Sequence, residues 1–209
     1  MPPEARAAGA AGPVILAFDS SAAHCAAALL RGETVVDARA ETMGRGQAER
    51  LMPMLEEMLA AAGLGWRDLD AIGVGTGPGN FTGIRISVAA ARGLALALGI
   101  PAIGVSAFEA AAAGRRDPFW AVLAGPRGAL LAQRRGTRSE APVILPGEAL
   151  ATLDAPVLRV DEIPPERLAA QIAAVARQRR ATPQPRPAPL YLRPADASPM
   201  REAPPPLLP

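Results

Sequence analysis

"DAIGVGTGPGNFTGIRIS" (residues 70–87) is the stretch on which the fold turns. An apolar run, Ala71 to Val74, enters a loop holding Gly75, Gly77 and Gly79, and the chain leaves that loop in a helical pattern that includes Gly83. Strand, glycine loop and helix in this order can hold phosphate on backbone N–H groups at a helix N-terminus. A Walker A loop requires a lysine for the β and γ phosphates, and the chain contains no lysine, so a P-loop is excluded. The dinucleotide fingerprint G-x-G-x-x-G fails at its third glycine, where Asn80 stands. Two readings stay open from the pattern alone. The loop connects a strand to a helix that packs closely through Gly83, or it cradles phosphate.

The flanks supply the rest of an α/β layer structure. "PVILAFDSS" (13–21) reads as a buried strand ending at Asp19, and "CAAALLRGETVVDARA" (25–40) as two strands around a tight turn. "GQAERLMPMLEEMLAAAG" (46–63) is a helix with Leu51, Leu55, Met58 and Ala62 on one face, widened by Met54 and Leu59. Pro53 should lie near its first turns or bend it. The helix after the glycine loop carries two apolar faces. One is Ile84, Val88, Ala91, Ala95 and Leu98; the other is Ile86, Ala90, Gly93 and Ala97. A helix that is apolar on two sides should be covered on two sides. "PAIGVSAF" (101–108) is a further strand, which gives the order β-β-β-α-β-α-β. Beyond it, residues 119–136 read as a hairpin over a Gly-Pro turn, 162–180 as a helix opened by Pro164 and Pro165, and "APLYLRP" (188–194) as a last short strand. The expected organisation is a flexible leader (1–12), a first lobe (13–108), a second, shortened lobe (109–195) and a Pro-rich tail (196–209).

Composition limits the chemistry. Two Trp, one Tyr and four Phe offer little for stacking bases or sugars. All 22 basic residues are arginine, scattered along the chain, and the formal charge is only +2. The single cysteine, Cys25, rules out an internal disulfide and fits a reducing compartment. The first dozen residues lack a signal-peptide pattern, and the apolar stretches read as too short or too interrupted to cross a bilayer, so a cytoplasmic protein without membrane contact is expected. One histidine, His24, cannot build a zinc-protease site, and it should point to the opposite side of its strand from Cys25. Asp19 could hold a metal or water beside a phosphate, or accept backbone N–H groups in an Asx turn. Met52, Met54 and Met58 suit either a core or an adaptable contact surface.

Together "ILAFDSS", "GQAERLMPMLEEML", "GPGNFTGIRI" within its flanks to residue 110, and "PLYLRPADAS" resemble the bacterial TsaB (YeaZ) family. This is the dimerisation subunit of the machinery that places threonylcarbamoyl on the tRNA adenosine next to the anticodon. The resemblance implies an α/β, actin-like or Hsp70-type (ASKHA) fold of two lobes, with mixed sheets flanked by helices and a shortened second lobe. It also implies a non-catalytic partner that pairs with and supports a TsaD-type catalytic subunit through the helices at 47–62 and 82–98. On that basis the expected interface residues are Leu51, Met54, Leu55, Met58, Ile84, Val88, Ala91 and Ala95. A TsaE-type ATPase joins the complex, tRNA is reached through it, and ATP or ADP belongs at the level of the complex. No catalytic or metal-binding residue is assigned. Asp19, Gly75, Gly77 and Gly79 stand as degenerate candidates for a lost nucleotide site. The catalytic paralogue carries metal-binding histidines on its first helix, where this chain has Gln47 and Glu49. "AGPRG" (124–128) departs from the family's Asp-Ala-Arg-like hairpin motif. The competing readings are an actin-like ATP-binding protein or ATPase in its own right, and a peptidase. Whether the isolated chain self-pairs, and whether the arginines of 177–186 touch tRNA or only solvate a helix end, stays open.

Overall fold

The computed structural model describes residues 12–136 and 139–192. Most of the expected leader and all of the Pro-rich tail lie outside these residues. The first sheet has strand order β3-β2-β1-β4-β5. β1 (Val14–Asp19), β2 (His24–Arg31) and β3 (Thr34–Thr42) form an antiparallel meander, while β4 (Ala71–Gly75) runs parallel to β1, and β5 (Ala102–Val105) parallel to β4.

β1 is apolar throughout before Asp19 because both of its faces are covered. Ile15 and Ala17 belong to one core, and Val14, Leu16 and Phe18 to another on the opposite side. β2 divides the same way, with Ala26, Ala28 and Leu30 on the first side and Cys25, Ala27 and Leu29 on the second. This is the alternation expected of a pleated strand buried on both faces. The second side is sealed by α1 (Gln47–Ala61) and α2 (Phe81–Leu98). The first is sealed by the short α3 (Ala107–Ala111) and by α4 (Pro165–Arg179), which lies across β2, β1 and β4. The small residues of α4 allow it to sit close. A methyl group on Gly73 of β4 would come within 3.0 Å of both Ala17 and Ala176.

The second sheet has order β8-β7-β6-β9, built from β6 (Phe119–Ala124), β7 (Leu130–Arg135), β8 (Val143–Leu145) and β9 (Val157–Arg159). The meander β6–β7–β8 is antiparallel and β9 is parallel to β6. Among the described residues this repeats the order of the first sheet's first four strands without a fifth member, the topology of a two-lobed actin-like fold.

Two expectations differ from the structure, those for residues 188–192 and for the reach of α2, while Pro53 falls in the second turn of α1. Residues 188–192 are not a strand; Leu190 instead donates its N–H to the Thr76 carbonyl at 2.8 Å, outside either sheet. Pro53 is the seventh residue of α1, exposed and inside the helix, where its missing N–H leaves the Glu49 carbonyl without its usual donor. α2 is 18 residues long with mean hydropathy 1.4, so by length and composition it could cross a membrane. Its Ile84, Val88 and Ala91 side packs on the sheet.

The start of α3 contains an ionised group that stabilises the fold. Ser106 and Glu109 form a reciprocal capping box, and the Glu109 carboxylate also accepts from Arg179 of α4 at 2.7 Å. Burial disfavours the charged carboxylate. The Ser106 N–H and the Arg179 guanidinium outweigh that effect and hold Glu109 below its ordinary value of 4.5. A group depressed in the folded state stabilises above its unfolded pKa, and that contribution fades as pH falls through the folded value. Stability should therefore drop on acidification below about pH 4.5, and less steeply in Glu109→Gln, as read from urea midpoints near neutral and acid pH. Equal acid losses in the two proteins would remove Glu109 as a contributor.

Candidate functional site

Two places could carry function: the loop between β4 and α2 with the cleft beside it, and the outer surface of the α1–α2 layer. In the first, the turn after β1 fills the glycine loop. A methyl group on Gly75 would overlap the Asp19 carboxylate, one on Gly79 the Ser21 carbonyl, and one on Gly83 the Ser20 carbonyl. Gly77 has φ +87° and leads into Pro78, so its conformation also calls for glycine. Several of the loop's polar groups are satisfied within the chain. Asn80 N–H donates to the Ser21 carbonyl at 2.6 Å, Thr76 N–H to the Val105 carbonyl at 3.0 Å, and Ala107 N–H to the Gly77 carbonyl at 2.8 Å. The Asn80 side chain caps α2 by accepting from Gly83 N–H at 2.9 Å, and Ser20 Oγ donates to the Gly83 carbonyl at 2.8 Å. The turn after β1 thus occupies the space beside Gly75, Gly79 and Gly83 that a bound group would need on that side.

Asp19 is 2% exposed. Its Oδ2 accepts from the Ser21 N–H (3.2 Å) and Ser21 Oγ (2.8 Å), and lies 2.9 Å from His24 Nε2. The bond two residues along the chain is an Asx-turn contact. The His24 pairing was not read from the sequence, although the signal exists. The register pairs Asp19 with Ala26, and His24 lies two residues from Ala26 on the same face. Cys25 faces the other way into the α1–α2 core. Burial, with Glu41 and Asp19 nearby, pushes its thiol up to about 11, so it is protonated near neutral pH. A cavity of ≈ 450 Å³ opens beside His24 and Asn80, closed on the second-sheet side by Leu123, Leu131 and Val160. Among the described residues no three His, Cys, Asp or Glu side chains gather as a metal site.

The second place corrects the expected interface. Leu51, Met54, Leu55, Met58, Ile84, Val88 and Ala91 are all at most 4% exposed, packed against β1, β2 and β4 of their own chain; Ala95 alone is half-buried. The apolar face that the periodicity picks out first is therefore the one the sheet takes, and Met54→Asp or Val88→Arg would disrupt the core rather than probe a surface. The other face of α2 is open. Ala89, Gly93 and Ala97 are exposed, with Ile86 and Ala90 half-buried beside them and Met52 of α1 also half-buried. Arg85, Arg92 and Leu96, also exposed, border this set along the helix. α1 presents a different surface, where Arg50 bridges Glu41 of β3 (2.6 Å) and Glu57 (2.6 Å) and ties the sheet edge to the helix.

At the start of α2 lies a cluster with no sequence signal, because its members are 106 residues apart. Phe81 stacks on Tyr191 with ring centroids 5.0 Å apart. The Arg85 guanidinium lies 3.6 Å from the Phe81 ring centre, and its Nε donates to the Tyr191 hydroxyl at 2.9 Å. This contact fastens the segment after α4 to α2.

Two sheets of repeated strand order, with a filled glycine loop at the edge of the cleft beside them, place the chain among actin-like α/β proteins. A family model described as "TsaD: tRNA N6-adenosine threonylcarbamoyltransferase" matches residues 39–186. The tRNA threonylcarbamoyladenosine biosynthesis protein TsaB of Escherichia coli is 40% identical over 100 residues, which is 48% of this chain and 43% of that protein. An uncharacterized protein of Mycobacterium tuberculosis is 33% identical over 212 residues, covering 89% of this chain and 94% of its own length. The solved structure of YeaZ from Pseudomonas aeruginosa superposes with a TM-score of 0.70 at 26% identity, over 86% of this chain and 100% of that one. The chain belongs to the TsaB (YeaZ) family. Its matched stretch spans less than half the length of the Escherichia coli relative.

Proposed function

We propose that this chain is the non-catalytic partner required for threonylcarbamoyl transfer to tRNA, pairing with a TsaD-type catalytic subunit through the open face of α2. The observation that carries this reading is Gly93. It sits in the interior of an 18-residue helix, is exposed, and would have open space around an added methyl group. Glycine there costs about 1 kcal/mol relative to alanine, and nothing inside the chain offsets that cost. Close approach of a second helix would account for it, since Ala89, Gly93 and Ala97 let two backbones come together at the short end of helix–helix distances. The naming of the relatives for tRNA threonylcarbamoyladenosine biosynthesis supports the reaction to which this pairing belongs. A TsaE-type ATPase, a cytoplasmic setting and a self-pair through the same face in the absence of the catalytic subunit complete the proposal. The rival reading, ATP binding by this chain itself, would need space beside Gly75, Gly79 and Gly83 that residues 19–21 occupy.

The test is reconstitution. A TsaD-type subunit, a TsaE-type ATPase, ATP, threonylcarbamoyl-adenylate and tRNA are combined with and without this chain. Modified adenosine is expected only when the chain is present. Equal product without it would remove the proposal.

A further inference from the structure

An open groove of ≈ 800 Å³ runs between the C-terminal half of α2 and the segment that follows α4. Its lining includes Arg92, Gly93 and Leu96 of α2, Ile100 and Pro101 beyond it, and Arg180 and Arg186 of the later segment, so it borders the open face of α2 at Gly93. Charge is segregated here in a way the scattered arginines of the whole chain conceal. Residues 81–107 contain no Asp or Glu, nor do residues 167–192, and these two stretches supply the groove's lining. Arg177 and Arg179 of the second stretch are engaged by Glu33 and Glu109, and Arg85 of the first by Phe81 and Tyr191. Arg92, Arg180 and Arg186 have no carboxylate partner among the described residues. Arg180 donates to the Arg177 carbonyl at 2.7 Å. Leu96, 87% exposed, stands among these three cations.

We propose that this groove binds the phosphodiester backbone of RNA, and so gives the chain its own hold on the tRNA whose modification it supports. The inference deepens the function proposed above and rests on it for the identity of the RNA. Guanidinium groups present planar forks that match phosphate oxygens two at a time, and each remains charged at any physiological pH. The alternative occupant of a basic, partly apolar groove is an acidic peptide. An extended peptide needs backbone partners along the wall to fix its register. Here Pro183, Pro185 and Pro187 remove alternate N–H groups from that wall. Phosphates need only the charges. With no aromatic ring in the lining, base stacking plays no part, so the groove holds backbone without reading sequence.

The test uses the double variant Arg180→Gln, Arg186→Gln, which leaves α2 and its open face untouched. Binding of the chain alone to fluorescently labelled tRNA is followed by anisotropy over a salt series. The double variant should bind roughly tenfold more weakly, and its slope of log affinity against log salt should be shallower by about 1.5, as expected for two lost phosphate contacts. Arg180→Lys, Arg186→Lys should keep most of the slope. A control variant with two exposed arginines neutralised elsewhere, Arg45→Gln, Arg67→Gln, should bind as the unaltered chain does. No tRNA binding by the unaltered chain at low salt, an unchanged double variant, or an equal loss in the control would each overturn the inference. So would a double variant that binds tRNA normally but no longer co-elutes with the catalytic subunit, since the groove would then seat protein. The two proposals can fail separately. If the chain does not pair with a TsaD-type subunit and the double variant still loses tRNA, the groove stands and the partner reading falls.

Discussion

Gly93→Arg is expected to leave the isolated chain folded and to abolish its co-elution with a TsaD-type subunit. The residue's surroundings predict both halves. An added side chain on Gly93 meets no atom of this chain within 4 Å, so the substitution has nothing internal to displace. Arginine is also a far better helix former than glycine, by about 0.7 kcal/mol or more in a helix interior. A helix packed across Ala89, Gly93 and Ala97 would meet that side chain where it needs backbone contact. Gly93→Ala separates the two effects. It should stabilise the isolated chain by roughly 0.5–1 kcal/mol, seen as a raised melting temperature, while a methyl group at the point of closest approach weakens pairing. Thermal melting and gel filtration with the catalytic subunit measure both quantities. A Gly93→Arg chain that co-elutes normally would move the interface away from α2.

The second large effect lies at the loop and tests packing instead of pairing. Gly75→Ala and Gly83→Ala should each destabilise the chain by about 3 kcal/mol or more, at or above the upper end of ordinary overpacking losses. The methyl group at residue 75 would overlap a carboxylate that is already fixed by Ser21 and positioned against His24. At residue 83 it would overlap the Ser20 carbonyl, which is backbone and cannot rotate away. Gly79→Ala, facing the Ser21 carbonyl, should behave similarly. Urea midpoints within a few tenths of a molar of the unaltered chain for all three would show that the loop is loosely packed. It would then have room for a ligand after all.

The glycines of the loop and of α2 show where the sequence could be read and where it could not. The succession of strands and helices in the first half followed from short apolar runs punctuated by glycine, because β1 and β2 are covered on both sides and contain little but apolar residues. The loop's identity as a turn could not be decided from the spacing of its glycines. The deciding fact is which atoms stand opposite Gly75, Gly79 and Gly83, and those atoms come from residues about 60 positions earlier. Periodicity correctly gave α2 two apolar faces but could not rank them. Ile84 and Val88 went to the sheet, and Ala89 and Gly93 were left outside, with Leu96 the one large side chain of α2 that is almost fully exposed. A contact surface made of small residues has a weak hydrophobic signature, so the larger face was read as the interface. The groove was hidden for a related reason. Its arginines are separated by some 90 residues, and the balanced net charge of +2 masks two long acid-free stretches that meet only in three dimensions.

The placement of α4 bears on how this polypeptide matures. The helix is encoded after the whole second sheet, yet its Ala169, Ile172, Ala173 and Ala176 close the face of the first sheet formed by Ile15, Ala17, Ala26 and Ala28. During synthesis the front half therefore waits with an uncovered greasy plane until α4 has left the ribosome, and contacts this distant in sequence are slow to form. Neither half is a separable module: cutting the gene between the two sheets would strand one without its cover and the other without its docking site.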